Sequence, residues 1–447
     1  MNNWISLLPP LLAILLAIST RKAYIAIFSG IILGSLILAT SFISGLKGVI
    51  EALSLTLQST STIHSLIFIL MIGAVINLLQ RSAAIDHALQ IISTQRALIK
   101  NRSHAQLLAF IAGFLMCLEG IGSMMIVGVV GRPLFKQFDI SSQKLAYIAN
   151  STGAPLAWLL PISSAGLFLV GLIQTQIDQG VIDGVSLDYV VQAMPYQFYT
   201  LLVLLSVPLL AVFQHDFKLA QQGGSAEQRA LPQSAPIVPL WVGMSPFYLL
   251  IMTIVIVVAL GGDISKAIYC SGYVALIGSA ILFHVNDVPY KQSVSWMVSG
   301  AIRILPAVLI LTLAFTFSHV IGQLGTGQFL AELLTANLAV SLLPCLIFLI
   351  GMMISFATGS SGATVSILTP IAIPIAVQMG FPVPVVIGAV LSGAVFGDQS
   401  SPISDSVIVA ASAAQCSPES HFRSQLPIVA SVALVAFGGY LGVGLWL

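Results

Sequence analysis

The chain has 447 residues, of which 57% are hydrophobic and only 7% charged, and its formal net charge at pH 7 is +1. A soluble chain of this length needs several times more charge to cover its surface, so a water-soluble enzyme or binding module is excluded. The charge balance offers no basic surface, and no nucleic-acid partner is expected.

Apolar runs long enough to cross about 30 Å of hydrocarbon recur from end to end. The opening MNNWISLLPP lacks the basic region of a cleavable signal peptide and reads as the start of a first membrane helix. Helices are predicted over 4–18, 23–42, 63–79 and 105–118, with longer apolar stretches over 145–172 and 189–213. A polar segment follows, containing QHDFKLAQQGGSAEQRALPQS, and its Gly, Gln and mixed charge mark a surface linker over 214–238. Apolar runs then resume at Trp241 and continue to Leu447.

The linker falls near the midpoint, so a duplicated architecture is expected: a first transmembrane repeat over 1–213 and a second over 239–447. KAYIAIFSGIILGSLIL from Lys22 resembles KAIYCSGYVALIGSAIL from Lys266, and STGAP at Ser151–Pro155 pairs with DQSSP at Asp398–Pro402. Arg81, Arg96, Lys100 and Arg102 fall in one short loop, which the positive-inside rule places in the cytoplasm. Counting outward puts Arg21 and Lys22 inside and the N-terminus outside. An odd number of spans per half makes the linker cytoplasmic and the halves inverted, the pattern of many secondary transporters. Cys117, Cys270, Cys345 and Cys416 stand singly, without metal-ligand spacing, and read as small apolar residues.

Polar residues interrupt this apolar pattern in a few places. FGDQSSPISDSV, from Phe396, sets Asp398 and Asp405 around Ser401, Pro402 and Ser404, with Arg303 and Arg423 the nearest basic residues other than His. A carboxylate inside a membrane is expensive unless paired, hydrated or protonated. Pro402 breaks helical hydrogen bonding, and broken backbone at membrane depth is tolerated where it lines a cavity. Two carboxylates, hydroxyls and freed carbonyls suit a small hard cation, so Asp398 and Asp405 are the candidate Na+ or H+ ligands. The alternative is a surface loop whose aspartates cap helices, since Ser404 and Asp405 precede an apolar run.

ATGSSGATVSILTP interleaves Thr358, Ser360 and Ser361 with Gly359 and Gly362, which lets the chain unwind and offers hydroxyls to an ion or a carboxylate. A small-residue packing seam is the competing reading. In the first half, LEGIGSM sets Glu119 near Ser123, and ANSTGAPLAWLLPISSAG carries Asn150, Ser151, Thr152, Ser163 and Ser164. Its two prolines, Pro155 and Pro161, predict a discontinuous helix. Glu119 is read either as a site residue or as an interfacial helix end. GRPLFKQFDISSQKLAY, with Arg132, Lys136 and Lys144, is a surface-loop pattern, cytoplasmic by the same rule. His319 reads as a hydrogen-bonded core histidine, and Arg303 as a side chain snorkelling from a helix end.

FATGSSGATVSILTPIAIPIA and SGAVFGDQSSPISDSVIVAA resemble the two signature segments of the NhaC-type Na+/H+ antiporters, and ISSQKLAYIANSTGAP with LLPISSAG resembles that family's first unwound helix. The similarity covers most of the chain from about Gly113. It implies an all-α polytopic membrane protein with about 10–12 spans. It also implies inverted repeats with broken helices and re-entrant hairpins, alternating access, and often a homodimer. The expected location is the bacterial inner membrane, with the lipid bilayer as surroundings and no cofactor. Transported or coupling ions are Na+ and H+, and some members couple them to organic anions or amino acids. On the signatures lie Asp398, Ser401, Ser404, Asp405, Thr358, Gly359, Ser360 and Ser361, and on the first-half counterpart Ser151, Thr152, Ser163 and Ser164.

The departures reduce the negative charge. Asn150 stands where the family usually has an acidic residue, Ser123 where asparagine is common, and Gly362 where tryptophan is usual. A Na+/H+ antiporter is therefore the leading expectation, with Na+- or H+-coupled transport of a small carboxylate or amino acid as the alternative. A membrane-embedded aspartate hydrolase lacks a His or Cys in either signature. A channel is a further alternative, against which the duplicated broken-helix pattern favours alternating access.

Overall fold

In the computed structural model, residues 4–20, 22–82, 101–114, 120–213, 238–260, 264–337 and 339–447 are described. Glu119, Cys117, Arg96, Lys100, Arg21 and the linker segment 214–237 lie outside the described residues. Every regular element among the described residues is helical. After a 3₁₀ turn at Trp4–Leu7 come α1 (Leu8–Thr20), α2 (Ala23–Leu38), α3 (Phe42–Gln58), α4 (Thr60–Arg81), α5 (Arg102–Phe114) and α6 (Gly120–Gln137). They are followed by α7 (Ser142–Leu159), α8 (Ser164–Asp178), α9 (Ser186–Ala193), α10 (Phe198–Val212), α11 (Leu240–Gly243), α12 (Ser245–Ala259) and α13 (Ile264–Val285). The last are α14 (Tyr290–Leu324), α15 (Thr326–Asn337), α16 (Leu343–Thr358), α17 (Ser361–Gln378), α18 (Val383–Ser400), α19 (Asp405–Ala414) and α20 (Pro418–Trp446).

Seven stretches among the described residues are long and apolar enough to cross a membrane. An eighth is formed if Ser186–Tyr196 and Phe198–Val212, which meet at 53°, are one bent span. Five shorter apolar helices accompany them, among them α19. The protein is an all-helical, multi-pass membrane protein.

Two compact units divide the chain, each drawing on both sequence halves. Unit 1 comprises Met1–Thr62, Arg102–Ala226 and Leu309–Leu447. Unit 2 comprises Ile63–Asn101 and Glu227–Val308.

Unit 2 is held by α4 against α14. A Cβ on Gly73 would meet Gly300 O at 2.9 Å, so the two backbones cross with only hydrogen atoms between them. Asn77 Nδ2 donates to Trp296 O (2.6 Å) and Ser299 Oγ (2.8 Å) beside this crossing. Arg303 belongs here too, donating to Gln80 Oε1 at 3.1 Å.

Unit 1 contains the polar breaks. Its tightest pairing is α16 on α18, made possible by Gly393 and Gly397. A Cβ at Gly393 would lie 2.5 Å from Phe348 O, and one at Gly397 would lie 2.7 Å from Met352 O. α7 is buried from Gln143 to Leu159 along its whole circumference, which is why it can carry polar residues only if each finds a partner.

Candidate functional site

α18 ends at Ser400 because Pro402, two residues on, has no N–H to give and restrains the backbone before it. The chain crosses Ser401–Ser404 without helical structure and restarts at Asp405, with Ser404 as N-cap accepting from Ser406 N at 3.1 Å. Facing this break is a second one. α16 stops at Thr358, Gly359 turns the chain at φ +66°, and Ser360 caps α17 by accepting from Ala363 N at 3.2 Å. A Cβ on Gly359 would stand 3.1 Å from both Ile403 and Ser404, so the turn of the α16–α17 hairpin rests directly on the α18–α19 break.

Asp398, in the last turn of α18, sits where these four helix ends meet and is 7% exposed. Its Oδ2 accepts from Ser361 Oγ at 2.7 Å, and its Oδ1 accepts from Ser406 Oγ at 3.1 Å and from Ser404 Oγ. Ser404 and Ser406 are themselves joined at 2.8 Å. The hydroxyls come from the first turns of α17 and α19, whose N-termini carry partial positive charge. Asp398 has no ion-pair partner among the described residues. The surroundings thus hold a negative charge in place without neutralising it.

The other predicted residues divide into three groups. Ser401 is buried and accepts from Ile403 N at 3.4 Å, inside the break. Thr358 donates to Ile354 O at 2.8 Å, tying off the end of α16. Asp405 is exposed at the first residue of α19, where its charge complements the helix dipole; its side chain is not among those bonded to Asp398.

In the first half, α7 runs unbroken through Pro155 to Leu159, and the interruption comes at Leu160–Ser163. Ser163 caps α8, accepting from Gly166 N at 2.9 Å, and its hydroxyl donates to Ala157 O and to Leu160 O (2.8 Å). Ser164 opens α8 and is half-buried. Ser123 donates to Gly113 O (2.8 Å) and Thr152 O (3.4 Å), and Thr152 donates to Ile148 O (2.9 Å). These two stitch α5, α6 and α7 together.

Asn150 and Ser151 reach further. Ser151 Oγ accepts from Gln399 Nε2 at 3.0 Å, and Asn150 Nδ2 donates to Gln425 Oε1 (3.2 Å) and Gln399 O (3.4 Å). His421 Nε2 lies 3.4 Å from the same Asn150 nitrogen, and Tyr199 OH donates to Gln399 Oε1 at 2.9 Å. Gln399, adjacent to Asp398, therefore anchors the site residue to α7, α10 and α20 at once. Asn150 Oδ1 and His421 Nδ1 are buried without a hydrogen-bond partner among the described residues.

Sequence reasoning did not single out Ser406, Gln399, Gln425, His421 or Tyr199. For the position of the two breaks a signal existed: Pro161-Ile162-Ser163 and Pro402-Ile403-Ser404 are the same three residues. For the last four residues the contacts span up to 275 positions and leave no local trace. Among the described residues no cluster of three His, Cys, Asp or Glu exists that could hold a resident metal.

Comparison with known proteins agrees with this architecture. The chain is 29% identical over 487 aligned positions to an uncharacterised protein of Haemophilus influenzae, covering 98% of this chain and 90% of that one. It is 34% identical over 168 positions to the malate-2H(+)/Na(+)-lactate antiporter of Bacillus subtilis, a match over 36% of this chain and 34% of that protein. The fold resembles the solved structure of Neisseria gonorrhoeae MtrF, described as one of a class of antimetabolite efflux pumps, with a TM-score of 0.60 and 16% identity over 91% of this chain and 85% of that one. The sequence profile of the Na+/H+ antiporter family matches residues 166–445, which include the hairpin turn, Asp398 and the second break, and the chain belongs to that family of secondary transporters.

Proposed function

We propose that the protein exchanges Na+ for H+ by alternating access, with Asp398 as the group for which the two ions compete. The observation that carries this is a buried carboxylate held by three hydroxyls and two helix N-termini and paired with no basic side chain among the described residues. A serine hydroxyl can donate or accept by rotating about one bond. With the carboxylate ionised and alone, Ser361, Ser404 and Ser406 donate to it. When Na+ arrives they turn their lone pairs to the ion. Protonating Asp398 removes the charge that holds Na+, so each state of the carrier takes one ion or the other. Asp405, exposed at the first residue of α19, adds negative potential near the site.

Alternating access needs two elements that rock about the site, and the repeated Pro-Ile-Ser break supports two repeats, 1–213 and 239–447, inverted about the cytoplasmic linker. A second reading is favoured by one feature. A Cβ on Gly362 would meet nothing within 4 Å, so the first turn of α17 borders open space, where its N–H groups suit a carboxylate. A relative named for malate and lactate makes a small carboxylate the natural co-substrate to screen.

The test is proton flux in proteoliposomes carrying an internal pH dye and an imposed pH gradient. Pulses of Na+ or Li+ are expected to drive proton movement that Asp398→Asn abolishes while the protein still inserts and melts normally. A wild-type protein indifferent to every alkali cation sinks pure exchange. Proton movement that then appears only on adding malate or lactate establishes the second reading.

A further inference from the structure

We propose that unit 1 carries a second cation site, remote from Asp398, in a cleft at the C-terminal ends of three helices, where a monovalent cation binds either as a hydrated metal ion or as an ammonium group. The cleft has a volume of about 540 Å³, within the range of small-ligand sites. Its walls are the ends of α8, α14 and α17, with the first turn of α15. Each of the three helices is closed by a glycine in the left-handed region, Gly180 (φ +69°), Gly325 (φ +69°) and Gly380 (φ +65°). α8 and α17 end by the same pair of bonds: Gly180 N to Ile177 O with Val181 N to Gln176 O, and Gly380 N to Val377 O with Phe381 N to Ala376 O. Three helix C-termini bring partial negative charge to one place, against a single N-terminus from α15.

The side chains have the same sign. Asp178 is in the wall, accepting from Ser59 Oγ (3.2 Å) and Gln174 Nε2 (2.9 Å), and no Lys or Arg lines the cleft among the described residues. His319 Nε2 and Gln323 Nε2 lie 3.0 Å apart at the edge of the cleft. Two adjoining clefts share His319, one of about 340 Å³ bordered by Glu51 and one of about 170 Å³ bordered again by Asp178, and neither is lined by Lys or Arg.

An independent observation identifies what binds. Gln176 is 1% exposed and lines the cleft. Its Nε2 donates to Ser318 Oγ at 2.6 Å, and Ser318 donates onward to Gln179 Oε1 at 3.3 Å. Gln176 Oε1 has no donor among the described residues. A buried carbonyl oxygen left unsatisfied destabilises the fold, because its lost hydration is not replaced. A carboxylate would set oxygen against oxygen there, whereas the water shell of a cation or an ammonium N–H supplies the missing donor. α17 joins the two sites, from Ser361 on Asp398 to Gln378 in the cleft, a distance on the order of 25 Å at the helical rise. The proposal rests on the cation-exchange reading only for where the ion goes next.

The test is thermal melting of the purified full-length protein against NaCl, methylammonium chloride and choline chloride at constant ionic strength, in an Asp398→Asn background. Stabilisation by Na+ or methylammonium, but not choline, is expected to persist there and to saturate. Adding Gln176→Leu or Asp178→Asn is expected to raise the half-saturating concentration about tenfold, the effect of losing one charge-assisted contact. Response to Na+ alone identifies a hydrated metal ion, and response to methylammonium alone or with Na+ identifies an ammonium ligand. If Gln176→Leu does not fold, Gln176→Glu keeps the side-chain length and adds charge, and it is expected to lower the half-saturating concentration. No saturable stabilisation in Asp398→Asn overturns the proposal, as does stabilisation indifferent to all three substitutions. The Asp398 reading is decided separately by proton flux, so one can fail without the other.

Discussion

The chain interrupts a buried helix twice with the same three residues, and the two interruptions are put to different use. Pro161-Ile162-Ser163 separates α7 from α8, and Pro402-Ile403-Ser404 separates α18 from α19. In each the serine caps the following helix, and in each its hydroxyl reaches back to the residue six positions earlier. In the first break that partner is the backbone oxygen of Ala157, and the same hydroxyl also meets the Leu160 carbonyl. In the second it is the carboxylate of Asp398, joined by Ser361 and Ser406. The break is therefore architecture, and the chemistry enters through one residue placed against it. Asp398→Asn makes the second break resemble the first, and loss of ion-driven proton movement is its expected consequence.

The packing beside the two breaks differs as well, and substitution of glycine separates them most strongly. A Cβ on Gly397 would collide with backbone, the N–H of Phe356 and, at 2.7 Å, Met352 O. On Gly153, beside the first half's polar residues, it would meet chiefly the flexible end of Met124, with Gly120 O at 3.0 Å. Gly397→Ala is expected to destabilise by about 3 kcal/mol and Gly153→Ala by about 1 kcal/mol, because overpacking against backbone cannot relax by a rotamer change. Detergent-solubilised melting curves check this. Equal losses would mean that the α16–α18 crossing is no more rigid than the α6–α7 one.

Much of the second break was legible in the sequence. Two carboxylates, a proline and four hydroxyls in an apolar chain announce themselves by composition, and the glycines of the hairpin turn do the same. Which aspartate faces inward was not legible, since that depends on where α18 stops and α19 restarts relative to Ser404. Asp398 falls inside the last turn of one helix and Asp405 on the exposed first turn of the next. The first break was displaced in the reading. Matching Ser151–Pro155 to Asp398–Pro402 aligned the prolines by neighbouring hydroxyls, yet α7 accommodates Pro155 and stops at Leu159. The Pro-Ile-Ser match sets Ala157 opposite Asp398 instead, so no carboxylate is present there to draw the eye. The Gln399 network escaped altogether, because α7, α10 and α20 meet only in the folded chain.

Capping offers a finer comparison, because Ser163 and Ser404 do one task in common and only Ser404 has a second. Ser163→Ala and Ser404→Ala are each expected to lower stability by about 1 kcal/mol, the usual effect of losing an N-cap. Only Ser404→Ala removes a ligand from Asp398, so only it is expected to raise the half-saturating Na+ concentration in the flux assay, by about tenfold. If Ser163→Ala shifts Na+ dependence equally, the first break takes part in ion binding and the contrast between the two breaks fails.

The smallest expected effect comes from Ser406. By the Pro-Ile-Ser match its counterpart in the first break is Ala165, so Ser406→Ala leaves the cap serine in place and removes only what the second break has in addition. The lost contact is a 3.1 Å donation to Asp398 Oδ1, an oxygen that Ser404 also serves, so the carboxylate keeps a donor on each oxygen. Ser404 loses its 2.8 Å neighbour at the same time, but its hydroxyl still accepts from the N–H of residue 406, which alanine retains. Stability is therefore expected to change by less than about 0.5 kcal/mol, and the half-saturating Na+ concentration to rise about threefold, the lower end of one hydrogen bond's contribution. Sodium-dependent proton flux at stepped Na+ concentrations measures it directly. A change as large as that of Ser404→Ala would mean that Ser406 contacts the ion itself, and the coordinating set would then include Ser406 on an equal footing with Ser404.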